Sequence, residues 1–479
     1  MGIVNSNYAG SNGTMINPSS IVKTPFDAEI SLLTIGTFMD NNYVYVQRTN
    51  LFGVLGFMKT VGGPMIYNEK NVIWDAETST FNIKDVYDKK DKTAYMDLLL
   101  RGPSFMVSLD KDSFGFHNAL RMGMSLRNVP YDFAKFGFEG VGYRPQWNTW
   151  REVPDFRFNL MSWSELGFSY GRVLYEDRDY RLNAGLTFKF LYGYLSGFVL
   201  SEGLYYYITT DTVQPNTFKW VDTSTASYGY TDPFSFQLGN LKKGKGKGLD
   251  LGITYTKTNG PNNYIWKIGA SLLDLGRIKF VTNAKQLRID YGSAFFHRGD
   301  SLTWNTVADL DTFVSGKFYQ DYYYTEEDNK FKMKLPLAAS LQFDYHLTNR
   351  LYINSTVVQR LHRRKPTYSL IPGVDRSNIL TITPRLETKL FELHFPFVLY
   401  EYREPRLGVA TRIAFLVIGT DKLSSLFLKR DFSGYDFYMS IKFLINKNKK
   451  TGGKANKPGK GPTGSQQLFR KLGIGCYDF

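Results

Sequence analysis

Residues near the end of the chain, from Gly434 to Ile445, alternate between two kinds of side chain. The apolar set is Phe437, Met439, Ile441, Phe443 and Ile445, and the mostly polar set is Asp436, Tyr438, Ser440, Lys442 and Leu444. A period of two over this length is typical of a β-strand with one apolar face. That face would pack on a core in a soluble sandwich, whereas in a membrane barrel it would face lipid. The rest of the chain decides between these folds.

The same alternation recurs along the chain and predicts about thirteen strands. They fall at 28–38, 43–47, 98–109, 117–127, 166–172, 182–192, 249–255, 266–272, 335–346, 351–360, 379–400, 406–419 and 434–445. In most of them, small or polar residues occupy the positions between apolar ones. The sequence therefore predicts an all-β protein.

The connections between these segments alternate in length. Short turns with Asp, Asn, Gly or Pro are predicted at 40–42, 110–113, 176–179, 259–262, 348–350 and 402–405. Longer polar loops are predicted at 59–94, 128–156, 201–247, 281–334, 361–378 and 420–433. Strict alternation places all long loops on one side, which is the asymmetry of an outer-membrane barrel. We therefore expect a transmembrane antiparallel β-barrel over residues 27–445.

An odd strand count conflicts with the even number usual in bacterial single-chain barrels, so we expect about fourteen strands. Either one strand has been missed, or residues 1–26 thread through the lumen. Side chains alone do not fill the interior of a barrel this wide. The irregular segment 1–26 is the obvious plug, and a loop folded inward is the alternative.

Composition narrows the class of protein further. No run of about 18 apolar residues exists, which argues against a transmembrane helix, and a single cysteine excludes a disulfide framework. The net charge of +15 would ordinarily suggest nucleic acid as a partner. Much of the excess positive charge lies in residues 242–247 and in the tail, residues 446–479. We interpret these two segments as solvated linkers and expect no nucleic-acid partner.

The basic tail, residues 446–479, is predicted to be a flexible periplasmic extension because its composition cannot bury enough apolar surface to fold alone. It is either simply disordered or docks on an acidic periplasmic partner or anionic lipid headgroups. The docking residues would be Lys447, Lys449, Lys450, Lys454, Lys457, Lys460, Arg470 and Lys471.

Candidate catalytic chemistry is sparse. Residues 167–171 match Gly-x-Ser-x-Gly, but Ser169 lies in a continuous strand pattern and not at the strand-to-helix elbow which that motif requires. A barrel hydrolase would need a histidine and an acid within hydrogen-bond reach of Ser169. The five histidines show no ligand spacing, so we expect no metal, no cofactor and no enzymatic activity.

Ionisable residues on the predicted inner face form a candidate polar network in the lumen: Arg121, Arg127, Lys189, Lys267, Asp274, Arg385 and Glu387. Buried charges need partners, so we favour ion pairs that brace the barrel and its plug over contacts to a substrate. Asp274 could also cap a bend or bind backbone amides of the plug.

Short motifs in a fixed order suggest a family. They lie at 7–20, 189–193, 271–279, 335–339, 384–387 and 434–438. Together they resemble an outer-membrane protein of Bacteroidota of the DUF5723 type, and more distantly the fatty-acid-transporter (FadL-like) barrels and the gliding and type IX secretion barrels. The resemblance implies a hatch inside the barrel carried by Asn17 and Pro18, followed here by Ser19 where alanine is common. It also implies a C-terminal strand that barrel-assembly machinery reads.

Two hypotheses for function follow. The first is a non-enzymatic binding or assembly component of an envelope complex in the bacterial outer membrane. It would contact outer-membrane lipid, and other envelope proteins through extracellular loops or the tail. The second is a FadL-like channel for a hydrophobic ligand. A continuous apolar path to a gap in the wall would favour the channel, and a lumen filled by a hatch and salt bridges would favour the partner. Both hypotheses place the protein in the bacterial outer membrane, so we expect a signal peptide that has been removed from this chain.

Overall fold

Fourteen antiparallel strands close into one barrel in the computed structural model, which describes residues 1–2, 4–61, 83–139, 143–210, 217–231, 242–260, 263–290, 293–296, 325–361 and 371–446. Strands 1 to 7 are Ala28–Asn41; Lys92–Arg101 with Ser104–Ser108; Asp112–Val129; Trp150–Val153 with Phe156–Glu176; Tyr180–Thr210; Thr217–Thr231 with Gly244–Thr258; and Tyr264–Phe280 with Ala284–Asp290 and Ser293–Phe296. Strands 8 to 14 are Thr325–Asp328 with Phe331–Lys334 and Ala338–Thr348; Leu351–Arg360; Ile379–Glu387; Phe391–His394 with Phe397–Tyr400; Glu404–Leu407 with Val409–Ile413; Leu416–Thr420; and Gly434–Ile445.

Strand 1 pairs with strand 14 and closes the barrel. Their register runs from Ala28 opposite Ile445 to Asp40 opposite Gly434, with one irregularity between Ser31 and Leu33. Both ends of the barrel chain therefore lie on one side, together with the short turns. In outer-membrane barrels that side is periplasmic, and the long loops are extracellular.

Alternation along each strand separates an apolar outside from a polar inside, as predicted. In strand 14, Tyr438, Ser440 and Lys442 are buried, and Phe443 is exposed. Large apolar side chains are exposed on strands around the barrel, among them Phe168, Ile253, Leu341, Ile382, Phe397 and Ile413. An outer surface of this kind matches a lipid environment. None of the helices in the described ranges is long and apolar enough to cross a membrane.

The predicted total of fourteen strands is confirmed, but the segments were assigned wrongly in three places. Residues 43–47 lie in a separate three-stranded sheet and not in the barrel wall. Segments 379–400 and 406–419 are each two strands, broken by turns at 388–390 and 414–415. One strand is lost and two are gained. Neither missed turn contains Gly, Pro, Asn or Asp, so the residue types that mark turns were absent at both places.

The prediction of strict alternation between short and long connections is also wrong in detail. Residues 40–42 and 402–405 lie at the long-loop end, and much of 201–247 is strand. Strand 5 alone has 31 residues, far more than the 9–11 that a membrane requires. Strand 5 and its neighbours extend beyond the membrane at the long-loop end and continue the barrel wall. The polar composition of residues 201–247 therefore does not indicate a loop.

The long-loop end also carries a small folded unit. Its sheet consists of Val44–Thr49, Ile83–Asp85 and Arg430–Phe432, and helices Leu51–Val61 and Leu423–Phe427 contact each other beside it. We call these five elements the loop-end platform. The remaining described helices are Tyr131–Glu139 and the 3-10 turns Gly10–Met15, Pro18–Ile21 and Arg144–Gln146.

Candidate functional site: the lumen

The N-terminal segment, residues 1–27 without residue 3, contacts inward-facing side chains on several sides of the barrel. The Ser11 amide donates to Glu29 of strand 1 at 2.6 Å, and Ser6 Oγ donates to Glu392 of strand 11 at 2.9 Å. Lys267 of strand 7 donates to Asn7 Oδ1 at 2.8 Å. Because these strands lie on different sides of the lumen, the segment spans it.

The turn Asn17-Pro18-Ser19 is hydrogen-bonded both internally and to the barrel wall. Asn17 Oδ1 accepts hydrogen bonds from the Ser19 amide and hydroxyl, and so caps the 3-10 turn that begins at Pro18. Asn17 Nδ2 donates to the Ile253 carbonyl at 3.1 Å and to Gln342 at 2.9 Å. The structure thus attaches the predicted hatch residues to strands 6 and 8.

Two facing glycines make room for that turn. Gly185 of strand 5 pairs with Gly252 of strand 6. A Cβ at Gly185 would lie 2.4 Å from the Ser19 nitrogen, and one at Gly252 would lie 2.1 Å from Asn17 Oδ1. Neither site has space for a methyl group, so the backbone of the N-terminal segment packs directly on the wall.

Gly185→Ala is expected to loosen the N-terminal segment and to destabilise the protein by about 1–3 kcal/mol, because overpacking forces backbone to move. The measurement is proteolysis within residues 1–26, together with urea unfolding. Gly197→Ala on the same strand is the matched control, since its Cβ would meet only a carbonyl oxygen at 3.9 Å. Equal behaviour of the two variants would contradict the packing argument.

A second piece of chain enters the lumen from the loop side. We call residues 371–378 the inner loop. Asp375 pairs with Arg127 at 2.6 Å and its amide donates to Ser125, while the Lys334 amide donates to the Pro372 carbonyl at 2.8 Å. A terminal segment and an inward loop therefore both contact inward-facing residues of the wall.

Arg121, Lys189 and Asp274 meet in one buried cluster, the upper cluster, although they come from strands 3, 5 and 7. Asp274 accepts from Arg121 at 3.0 Å and from Lys189 at 2.7 Å, and it also pairs with Arg376 of the inner loop at 3.4 Å. Two further carboxylates complete the cluster, Asp250 at 2.7 Å from Lys189 and Glu165 at 3.4 Å from Arg121. The cluster therefore joins the wall to the inner loop.

Lys267, Arg385 and Glu387 belong to a different group, the lower cluster. Arg385 pairs with Asp344 at 2.7 Å and with Glu387 at 2.5 Å. Glu387 accepts from the Asn7 side chain at 2.7 Å, and Lys267 donates to the same asparagine. The predicted single network is thus two clusters and a separate Arg127–Asp375 pair, and the lower cluster holds the N-terminal segment.

Several carboxylates of the lumen escaped the sequence analysis: Glu165, Asp250 and Asp344 in the two clusters, and Glu29 and Glu392 beside the N-terminal segment. Each is a charged residue on the inward face of a strand, and that position was the available signal. Asp274 has a left-handed backbone conformation with φ of 58°, and its carboxylate forms ion pairs with Arg121 and Lys189. Among the described residues, the carboxylates that accept backbone amides of the N-terminal segment are Glu29 and Glu387, and not Asp274.

A cavity of about 260 Å³ lies between the N-terminal segment and the inner loop. Met15 and Ile16 line it from one side and Arg376 and Ser377 from the other. Its wall combines the charged residues of the upper cluster with apolar and aromatic side chains, among them Phe38, Leu99, Leu273, Val358, Val398 and Tyr400. A compartment with an apolar part and a few charged groups has the composition of a small-molecule site.

The serine pattern at 167–171 forms no Ser–His pair in the described part of the chain. Ser169 Oγ shares a hydrogen bond with Thr187 at 2.7 Å, and His117 lies against Glu165 at 3.3 Å. Ser169 faces inward beside small neighbours. The predicted docking residues of the tail, from Lys447 to Lys471, lie outside the described residues.

A closed antiparallel barrel with an apolar outside and a polar, occupied lumen is a β-barrel of the outer-membrane type. The sequence model described as "Family of unknown function (DUF5723)" matches residues 33–421 of this chain. The protein belongs to that family. No curated protein matches the chain.

Among the solved structures that align with this chain are bacterial outer-membrane transporters. The Ralstonia pickettii toluene transporter TbuX aligns at 9% identity and a TM-score of 0.39, over 91% of this chain and 94% of its own. A Pseudomonas aeruginosa FadL homologue aligns at 11% and 0.30, over 89% and 92%. The Pseudomonas putida toluene transporter TodX aligns at 9% and 0.30, over 92% and 95%. Scores this low support no statement about activity.

Proposed function

We propose that the protein is a non-enzymatic binding component of the outer membrane that recruits a partner protein at its long-loop end. The observation that carries this proposal is the apolar surface of the loop-end platform. Phe52 and Phe427, on its two helices, are 60% and 67% exposed, and Leu55 and Leu428 add to the surface. Exposed apolar side chains grouped on a folded unit are typical of interaction sites.

The filled lumen supports the same proposal. The N-terminal segment and the inner loop both cross the interior, and the two clusters hold them to the wall. Strand 2 is interrupted between Arg101 and Ser104, but a hydrogen bond to the neighbouring strand spans the interruption. The Gly102 amide donates to the Asn118 carbonyl of strand 3 at 3.1 Å. Such a barrel suits a stable scaffold better than an open conduit.

A second candidate function is uptake of a small hydrophobic ligand. The cavity between the two inserted pieces of chain favours it, since its apolar side chains could hold such a ligand in transit. Uptake would require the N-terminal segment or the inner loop to move. The two candidates differ in where they act, at the loop-end platform or in the lumen.

Photocrosslinking in living cells separates them. With a photoreactive phenylalanine analogue at position 427, we expect one discrete adduct of higher mass. The same analogue at position 174 is the control, because Leu174 is also about 60% exposed but lies by the short turns. No adduct from position 427, or an equal pattern from both, would contradict recruitment at the platform.

A further inference from the structure

A second, smaller cavity lies between the N-terminal segment and the wall, and we call it the turn-end cavity. Its volume is about 120 Å³. Lys23 lines it and pairs with Asp110, in an exposed short turn, at 3.1 Å. Five residues that pair directly across strands 5 to 9 form one row of its wall: Arg181, Thr256, Lys267, Asp344 and Asn354. The cavity therefore lies next to the short turns, away from the loop-end platform.

The wall of the turn-end cavity is polar. Every described wall residue that lines it has a polar or charged side chain, except Gly269. The apolar side chains of the lining all come from the N-terminal segment and are Val4, Ile16, Val22 and Pro25. This composition differs from that of the larger cavity, and it indicates a ligand that is held by hydrogen bonds.

Five buried polar atoms of the lining have no hydrogen-bond partner within the described ranges. They are Asn5 Nδ2, Arg181 Nε, Asn183 Oδ1, Thr256 Oγ1 and Asp344 Oδ1. Each of these five residues is more than nine-tenths buried. Buried polar atoms are normally paired, because leaving them unpaired costs free energy. Their concentration around one cavity points to a bound group that completes their hydrogen bonds.

The unpaired atoms alternate between donors and acceptors. On strand 5, the Arg181 donor lies two residues from the Asn183 acceptor. At the other end of the row, Asp344 of strand 8 offers an acceptor, and Asn5, which accepts from Thr356 of strand 9 at 3.2 Å, offers a donor. A hydroxyl group both donates and accepts, so it matches the pair of groups at either end.

The charges around the turn-end cavity are already balanced. Arg181 pairs with Glu176 at 3.5 Å, and Asp344 pairs with Arg385 at 2.7 Å. The lower cluster, to which Lys267 belongs, contains two cations and two carboxylates. The lining therefore favours a ligand without net charge.

A zwitterion would satisfy the lining less well than a neutral ligand does. Its carboxylate, placed on Arg181, would also approach the acceptor of Asn183. Its ammonium group, placed on Asp344, would also approach the donor of Asn5. Like groups would meet at both ends, whereas hydroxyl groups avoid this conflict.

We propose that the turn-end cavity binds a small neutral polyol, a sugar or a sugar alcohol. Its hydroxyl groups complete the hydrogen bonds of Arg181 and Asn183 at one end and of Asp344 and Asn5 at the other, and Thr256 bonds to it between them. This site is independent of the loop-end platform and of whether the larger cavity takes a hydrophobic ligand.

The test is calorimetric titration of the full chain in a polyoxyethylene detergent, which contains no sugar. The probes are xylitol and glucose, and we expect saturable binding of at least one of them. The matched control ligand is 1,5-pentanediol, which has the carbon chain of xylitol without its inner hydroxyl groups and should not bind. Serine, a small zwitterion, should not bind either.

Two variants of the lining separate binding from folding. Asn183→Leu and Thr256→Val each remove an unpaired buried atom and break no side-chain hydrogen bond among the described residues. They should therefore keep or raise the urea midpoint of the parent, yet weaken polyol binding about three- to tenfold, the effect expected of one lost hydrogen bond. Asn159→Leu and Thr383→Val are the matched controls, because each also removes an unpaired buried atom but neither residue lines the cavity. Both should bind as the parent does.

The proposal is overturned if the parent binds neither polyol, if pentanediol binds as well as xylitol, or if serine binds more tightly than both polyols. Unchanged affinity in both Asn183→Leu and Thr256→Val would also overturn it, since water alone would then complete these hydrogen bonds. Failure here would leave the crosslink at position 427 unaffected, so the two proposals fail separately.

Discussion

Asp274→Ala is expected to destabilise the barrel by about 3–5 kcal/mol, the usual cost of removing one partner from a buried ion pair. Among the described residues, Asp274 is the one carboxylate that contacts Arg121, Lys189 and Arg376 together. Without it, Arg121 keeps only Glu165 and Lys189 keeps only Asp250 as ion-pair partners in the described ranges. The measurement is the free energy of unfolding in urea. The folded fraction is read from the difference in gel mobility between the folded and the unfolded barrel.

Two companion variants make the Asp274 result specific. Asp179→Ala, in an exposed turn, should change the free energy of unfolding by no more than about 0.5 kcal/mol. Asp274→Ala combined with Arg376→Ala should recover part of the loss, since Arg376 is ion-paired to no other carboxylate among the described residues. A loss below about 1 kcal/mol for the single variant would show that the cluster does not brace the inner loop.

Removal of residues 1–26 is expected to raise ion conductance across planar bilayers at least about tenfold, because a fourteen-strand barrel cannot fill its own interior with side chains. The N-terminal segment bonds to Glu29, Lys267 and Glu392 on different sides of the lumen, so its loss leaves a gap that water can occupy. The measurement is single-channel recording on the parent and the truncated protein. Unchanged conductance would mean that the inner loop closes the lumen alone.

A reversible lock tests the same idea without deletion. Ser19 Oγ and Thr254 Oγ1 lie 2.6 Å apart, close enough for a disulfide between cysteines at these positions. Ser19→Cys and Thr254→Cys would be made in a Cys476→Ser background, which removes the single native cysteine. The oxidised protein should conduct as little as the parent does. Any opening seen only after reduction would show that the segment can leave its site.

Local alternation predicted which way side chains face, but not what they touch. Ser440 and Lys442 fall on the buried face because a strand has a period of two, and Arg121 follows the same rule. The strand total could be derived from the count of alternating segments and the even strand number of bacterial barrels. The family resemblance added the expectation of a hatch at Asn17, Pro18 and Ser19, which stays a prediction, and the structure places Asn17 against strands 6 and 8.

Contacts across the lumen could not be derived in this way. Asp274 meets Arg121 only because closure of the barrel brings the inward faces of strands 3 and 7 within reach of each other, and no local pattern encodes that distance. The same holds for Asp375 and Arg127. Turn chemistry at 40–42 was equally ambiguous, because Asp and Asn mark turns at both ends of a barrel.

The seam between strands 1 and 14 has a consequence for how the protein is made. Lys442, on the last strand, donates to the Tyr8 carbonyl, and Glu29, on the first, accepts from Ser11. Strands 1 and 14, which meet at the seam, are thus both hydrogen-bonded to the N-terminal segment. Pairing partners so far apart in sequence form late and slowly. If the N-terminal segment enters the lumen before the barrel closes, it acts as an internal template that sets the register of strand 14. The rate of barrel closure then depends on residues that never become part of the wall.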